Sequence, residues 1–123
     1  MKSRTRARGL ALQVLYEVDI VNHPPVEVFQ LRLEDASLTD ELAEFARQIV
    51  FGVLPLTHEL DILIARYAPE WPLDQIAAID RNILRMALTE LAHSPDVPVN
   101  AAINEAVELA KEYGGPDSGK FVN

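Results

Sequence analysis

The sequence predicts an all-α domain, and three observations carry that prediction. Apolar residues recur at three- and four-residue spacing through most of the chain. No alternating apolar and polar run is bounded by turn residues on both sides, so strands are not expected. The Pro and Gly residues fall mainly between the periodic segments, where they mark loops. The expected loops of about two to six residues make successive helices antiparallel neighbours. The expected architecture is a single domain of about seven helices, arranged as two packed three-helix bundles.

The first helix is predicted from about Ser3 to Val21. Leu10, Val14, Val18 and Val21 repeat at helical spacing, with Ala7, Ala11 and Leu15 beside them. Asn22-His23-Pro24-Pro25 ends it, because Pro cannot continue a helix interior. A second helix is predicted over Val26 to Glu34, with Val26, Phe29, Leu31 and Leu33 apolar. Ser37 or Thr39 can cap a third, in which Leu42, Phe45, Ala46, Ile49 and Val50 face inward. Gly52 to Pro55 reads as a break. A fourth helix follows from about Thr57 to Tyr67, with Leu60, Ile62, Leu63 and Ile64 apolar.

Ala68-Pro69-Glu70-Trp71-Pro72 divides the two halves. Pro72 suits the first position of a short helix from Leu73 to Ile79. Asp80 can cap the next helix, which runs to about His93 with Ile83, Leu84, Ala87, Leu88 and Leu91 on a broad apolar face. After Ser94-Pro95-Asp96-Val97-Pro98 comes another helix, with Ile103, Ala106, Val107, Ala110 and Tyr113 on one face and Leu109 at its flank. Gly114-Gly115 is expected to stop it, one glycine taking the left-handed conformation of many helix ends. Pro116-Asp117-Ser118 then reads as a cap for a further helix beginning at Gly119-Lys120-Phe121-Val122-Asn123. A chain that stops one turn into an element is expected to lack its tail.

The 123 residues suffice for one core without staples, and the absence of cysteine excludes disulfides and thiolate metal sites. Basic residues precede Leu10-Ala11-Leu12 as in a signal peptide, but Gln13, Glu17 and Asp19 interrupt the apolar run too early. No apolar stretch is expected to reach the ~18 residues of a membrane span. The net charge of −8 argues against nucleic acid until its distribution is read. Four of the eleven basic residues, Lys2, Arg4, Arg6 and Arg8, lie in the first nine positions with no acid among them. The other 114 residues carry seven basic and nineteen acidic side chains, a net −12. A basic arm on an acidic body is the pattern of a polyanion-binding segment.

Arg4 and Arg8 are one turn apart and share a face, while Arg6 is rotated by about 200°. This charge sits where the helix dipole is already positive, at a cost of a few tenths of a kcal/mol per residue. A residue pattern that opposes local stability favours a functional reason for it. Tyr16 lies two turns beyond Arg8 and can continue the same surface as a stacking platform; it can equally pack as a core aromatic. No catalytic or metal site emerges. His23, His58 and His93 are far apart, and His58-Glu59 lacks the second His of a zinc helix. Ser3, Ser37, Ser94 and Ser118 lack a nucleophile-elbow context. Glu105, Glu108 and Glu112 read as a solvated helix side, with Lys111 near enough to pair.

The last 44 residues closely resemble the NusB family of transcription antitermination factors. The resemblance is carried by Asp80-Arg81-Asn82-Ile83-Leu84-Arg85, Glu90-Leu91, Val97-Pro98, Ile103 to Lys111 and Ser118-Gly119-Lys120-Phe121-Val122-Asn123. Arg6-Ala7-Arg8, Gln13, Leu15-Tyr16 and Asp19 extend it to the N-terminus, while Pro24 to Leu73 matches in helix pattern only. It implies two three-helix bundles and no cofactor. It also implies binding to boxA-type single-stranded RNA together with the ribosomal protein NusE, in contact with the RNA polymerase elongation complex through that assembly. The RNA-holding residues it implies are Arg4, Arg6, Arg8, Tyr16, Asp117, Ser118, Lys120 and Phe121; it places Tyr67 and Asp80 toward NusE. Some members dimerise through the RNA surface, so a homodimer is among its implications. The arginines alternate here where many relatives carry a denser cluster, and the motif of relatives continues past Asn123. A rival reading is the NusB-like RNA-binding domain of a cytosine-5 ribosomal RNA methyltransferase. A purely protein-binding helical scaffold is a third, since an acidic body can dock a basic ribosomal protein.

Overall fold

A computed structural model describes residues 3–67, 76–93, 98–114 and 122, with Tyr67 and His93 described by their backbone alone. Six α-helices occupy these residues: α1 Ser3–Val21, α2 Pro25–Asp35, α3 Asp40–Val53, α4 Thr57–Tyr67, α5 Ala78–His93 and α6 Val99–Tyr113. There is no strand among the described residues. α1 packs against α2 and α3 to form one three-helix group, and α4 and α6 pack on α5 to form the second. The groups are not separate, because α1 also packs on α5 and α6, and α3 on α5.

The centre of the molecule is α1. Ala7, Leu10, Ala11, Leu12, Val14 and Leu15 are all buried, and at about 3.6 residues per turn they cover more than half of the helix circumference. A helix with so broad an apolar face must be covered on several sides, and α2, α3, α5 and α6 supply that cover. Asn22 ends α1 in the left-handed region at φ 61°, and its N–H reaches Val18 O at 3.2 Å. Asn tolerates this conformation better than most residues, so the break lies where the sequence placed it.

Gly52 to Pro55 does not break the chain. α3 runs through Gly52 to Val53, and Leu54–Leu56 form a 3-10 turn that leads directly into α4. Pro55 lies in the first turn of that segment, where its missing N–H costs little. The Thr57 hydroxyl donates to Leu54 O at 3.0 Å and also approaches Val53 O at 3.4 Å. Residues 40–66 thus form one long helical run that meets, by length and composition alone, the criterion for a membrane span, contrary to expectation. Ala46, Val50, Val53, Leu60 and Ile64 of this run are buried inside the protein.

Thr39 caps α3 as predicted, its hydroxyl accepting the Leu42 N–H at 3.2 Å. Asp80 does not cap α5. The helix starts two residues earlier, with Ala77 O accepting the Arg81 N–H, so Asp80 sits in the first turn. Of the short helix expected over Leu73 to Ile79, residues 73–75 lie outside the described residues, Ile76 and Ala77 are not helical, and Ile79 belongs to α5. Gly114 ends α6 in an extended conformation at φ −95°, not the left-handed one, while its N–H still bonds Ala110 O at 2.8 Å. Of the last predicted turn only Val122 is described; it is helical and packs against the core.

Candidate nucleic-acid interface

The basic arm becomes the first two turns of α1, and the fold treats its three arginines differently. Arg4 and Arg6 are exposed. Arg4 has no carboxylate partner among the described residues; its guanidinium carbon stands 4.9 Å from the centre of the Phe45 ring on α3. Arg6 points to the other side, where its Nη2 donates to Ser37 O at the long distance of 3.5 Å. Beside it an open groove of about 470 Å³ is lined by Arg6, Leu10, Gln13, Arg32, Leu38 and Tyr113, among others. Arg32 is committed to Gln13 Oε1 at 3.1 Å and Glu17 Oε1 at 3.2 Å.

Arg8 is turned inward, with its side chain only 12% exposed. It donates to Glu90 Oε1 of α5 at 2.7 Å and lies 3.6 Å from Glu105 Oε1 of α6. Its guanidinium carbon is also 5.2 Å from the Phe45 ring centre. Thr5 donates to the same Glu105 oxygen at 2.7 Å. Glu105 is therefore not part of a solvated face with Glu108. It is a counter-ion for α1, whereas exposed Glu108 pairs with Lys111 at 3.8 Å. Helical periodicity could not reveal this, because Glu90 is 82 residues from Arg8 along the chain.

Tyr16 is half-exposed on α1, and Ile20, one turn on, is more exposed still. The phenol of Tyr113 closes the other end of the arm by lying over Gly9. A Cβ built on Gly9 would fall 2.2 Å from the Tyr113 hydroxyl oxygen. Burial raises the Tyr113 phenol above its ordinary value, and the charge of Glu112 adds to the shift. The end of α6 is thereby fixed against the basic turn of α1. Asp117, Ser118, Lys120 and Phe121 lie outside the described residues, as does the Tyr67 side chain. Asp80 is described and is 7% exposed, with one carboxylate oxygen buried and unpartnered.

The Asp80-Arg81-Asn82-Ile83-Leu84-Arg85 stretch builds an ionic cluster that ties α5 to both neighbours. Asp19 Oδ2 of α1 accepts from Arg81 Nη2 at 2.7 Å, Asn82 Nδ2 at 3.1 Å and Arg85 Nη1 at 3.1 Å. Arg85 also clasps both oxygens of Asp61 on α4, at 2.7 and 2.8 Å. Two-pronged pairing of this kind suits the guanidinium fork. Burial works to raise the Asp19 carboxyl, but the hydrogen bond from Arg81, the charge of Arg85 and the hydrogen bond from Asn82 outweigh it. The group is held below its ordinary value. The apolar face predicted for α5 is therefore only part of its inner surface. Ile83 and Met86 are buried, but so are Asn82, Arg85 and Thr89, while Leu84, Ala87, Leu88 and Leu91 are half-buried. Among the described residues no group of three or more His, Asp or Glu could hold a metal ion.

The profile of the NusB family matches residues 5–123. The chain belongs to the NusB family. It is 45% identical over 122 residues to the transcription antitermination protein NusB of Roseiflexus castenholzii, covering 98% of this chain and 86% of that protein. It is 43% identical over 121 residues to the protein of the same name from Dehalococcoides mccartyi, covering 98% of this chain and 85% of that one. Among solved structures it resembles T. maritima NusB with a TM-score of 0.88 at 32% identity, covering 98% of this chain and 85% of the other. A crystal structure of the antitermination factors NusB and NusE in complex with dsRNA contains a chain similar at a TM-score of 0.87 and 28% identity, covering 99% and 91%.

Proposed function

We propose that this protein is a non-enzymatic transcription antitermination factor that binds boxA-type single-stranded RNA together with NusE and so supports ribosomal RNA transcription in the cytoplasm. The observation that carries the reading is the first turn of α1. Arg4 and Arg6 stand exposed there, without a carboxylate partner among the described residues, on an otherwise acidic chain. Guanidinium groups in that setting contact phosphates and stack on unpaired bases. Family membership supports the same reading, as does the similar chain crystallised with NusE and RNA. Within the site, Arg4 and Arg6 contact RNA directly, and Tyr16 extends their surface. Asp117, Ser118, Lys120 and Phe121 complete it. Arg8, closed between Glu90 and Glu105, braces the arm more than it contacts RNA. The net −12 of the remaining chain speeds the approach of a basic ribosomal protein, with Tyr67 on that side; Asp80, only 7% exposed, is too buried to touch a partner directly.

Relatives that this chain matches over 85% and 86% of their own length carry the antitermination name, which favours the factor over the methyltransferase domain. The test is RNA binding by the full chain with NusE present, using a boxA-type strand in single- and double-stranded form across a salt series. If about four phosphates are neutralised, log K for the single strand falls with a slope near −3 against log salt. Absence of binding at low salt refutes the reading. Unchanged affinity after joint replacement of Arg4, Arg6 and Arg8 by Ala refutes the basic arm as the RNA surface.

A further inference from the structure

We infer that Phe45 is a positioning residue for RNA binding, an aromatic platform that holds Arg4 ready for a phosphate. The inference rests on the RNA-binding reading of the arm and adds a residue from a different helix to it. Arg4 and Arg8, one turn apart on α1, both bring their guanidinium carbons to the Phe45 ring, at 4.9 and 5.2 Å from its centre. These distances lie within the range of cation–π attraction, about 6 Å. The ring itself is fixed, because Phe45 is half-buried and packs against the core.

The two arginines use the ring differently. Arg8 is neutralised by Glu90 and Glu105 and barely exposed, so it anchors α1 to α5, α6 and the ring together. Arg4 is exposed and has no acid partner among the described residues. An aromatic face offers a guanidinium attraction without using up its N–H donors, whereas a carboxylate would occupy them. Arg4 thus keeps its donors for an anion while losing part of its rotamer freedom beforehand. Immobilising a flexible side chain is one of the costs of association, so a side chain already held binds more tightly. Arg6, on the other side of the helix, has the Ser37 carbonyl nearby and no aromatic ring contact among the described residues. It serves as the internal control.

The test uses the full chain, a boxA-type single-stranded RNA and NusE. Phe45→Leu retains an apolar side chain at the core and removes the ring. It should weaken RNA binding about three-fold, the size of an exposed cation–π contact. Phe45→Tyr should restore the wild-type affinity. In an Arg4→Ala background Phe45→Leu should have no further effect, whereas in an Arg6→Ala background its effect should persist in full. Without RNA, the Arg4 Nε–Hε resonance should show a ring-current shift that Phe45→Leu abolishes and Phe45→Tyr keeps. An equal loss on Phe45→Leu with and without Arg4, or failure of Phe45→Tyr to rescue, overturns the platform. Loss of the platform while Arg4→Ala still weakens binding leaves the RNA reading intact. An RNA affinity insensitive to Arg4 and Arg6 alike overturns the basic arm as the RNA surface, and with it the inference.

Discussion

Gly9→Ala isolates the close approach of α6 to α1. The new Cβ would lie 2.2 Å from Tyr113 Oη, 2.9 Å from Cζ and 3.1 Å from Cε2. The first two distances are shorter than real Cβ atoms show, so Tyr113 or the helix pair must move. Overpacking of this kind costs about 1–3 kcal/mol. Against it stands the intrinsic gain of about 1 kcal/mol when Ala replaces Gly inside a helix. The expected net effect is a loss of about 1 kcal/mol, which for a urea slope near 2 kcal/mol/M lowers the midpoint by roughly 0.5 M. The Tyr113 ring is the free end of a side chain and can swing outward, so the loss of its burial limits the cost. In a Tyr113→Ala background the clash is gone, and the same Gly9→Ala change should stabilise the protein by about 1 kcal/mol. Equilibrium urea unfolding of the four proteins reads this reversal of sign directly. If Gly9→Ala stabilises both backgrounds equally, Tyr113 does not occupy the space above Gly9 and the packing argument is refuted.

Arg85→Met removes the fork that joins Asp19 to Asp61 and should cost about 3 kcal/mol in urea unfolding, because two partly buried carboxylates lose a shared partner. An effect below about 0.5 kcal/mol, the size of a surface change, would contradict a structural role for the cluster. Asp19 titrates lower in the folded than in the unfolded chain, so it contributes stability that is fully present above its ordinary value of 3.8 and is lost as pH falls through the depressed folded value. Asp19→Asn should therefore flatten the acid limb of the stability profile in that window, and an unchanged limb would contradict the assignment. Arg8→Ala should cost about 2 kcal/mol by leaving Glu90 and Glu105 without their cation, while Arg4→Ala and Arg6→Ala should stay within about 0.5 kcal/mol. Comparable losses at all three positions would show that the fold does not distinguish them.

Much of this architecture could be read from spacing alone. The bounds of α1, the break at Asn22, the Thr39 cap and the ends of α4 and α5 follow from local rules about periodicity, Pro and side-chain oxygens. The departures share a cause. Gly52 and Pro55 look like a stop, but burial of Val50, Val53 and Leu60 on one core keeps the helix running through them. Arg85 and Asn82 look like the polar side of α5, yet they face inward because Asp19 and Asp61, contributed by α1 and α4, wait there to pair with them. Propensity and periodicity are sums over neighbours in sequence, and these partners are not neighbours.

The basic arm shows the same division. The placement of charges along the sequence set the charge contrast, and helix geometry alone put Arg4 and Arg8 on one face and Arg6 on another. The sequence by itself thus determined an all-α chain with a cationic helix start. Only the tertiary structure decided which cation was already spent. It brought Glu90 and Glu105 to Arg8, set Phe45 under Arg4 and left Arg6 beside an open groove. The reason is physical: whether a charge is available depends on the counter-charges within a few ångströms of it, and in a folded chain those come from helices far apart in sequence.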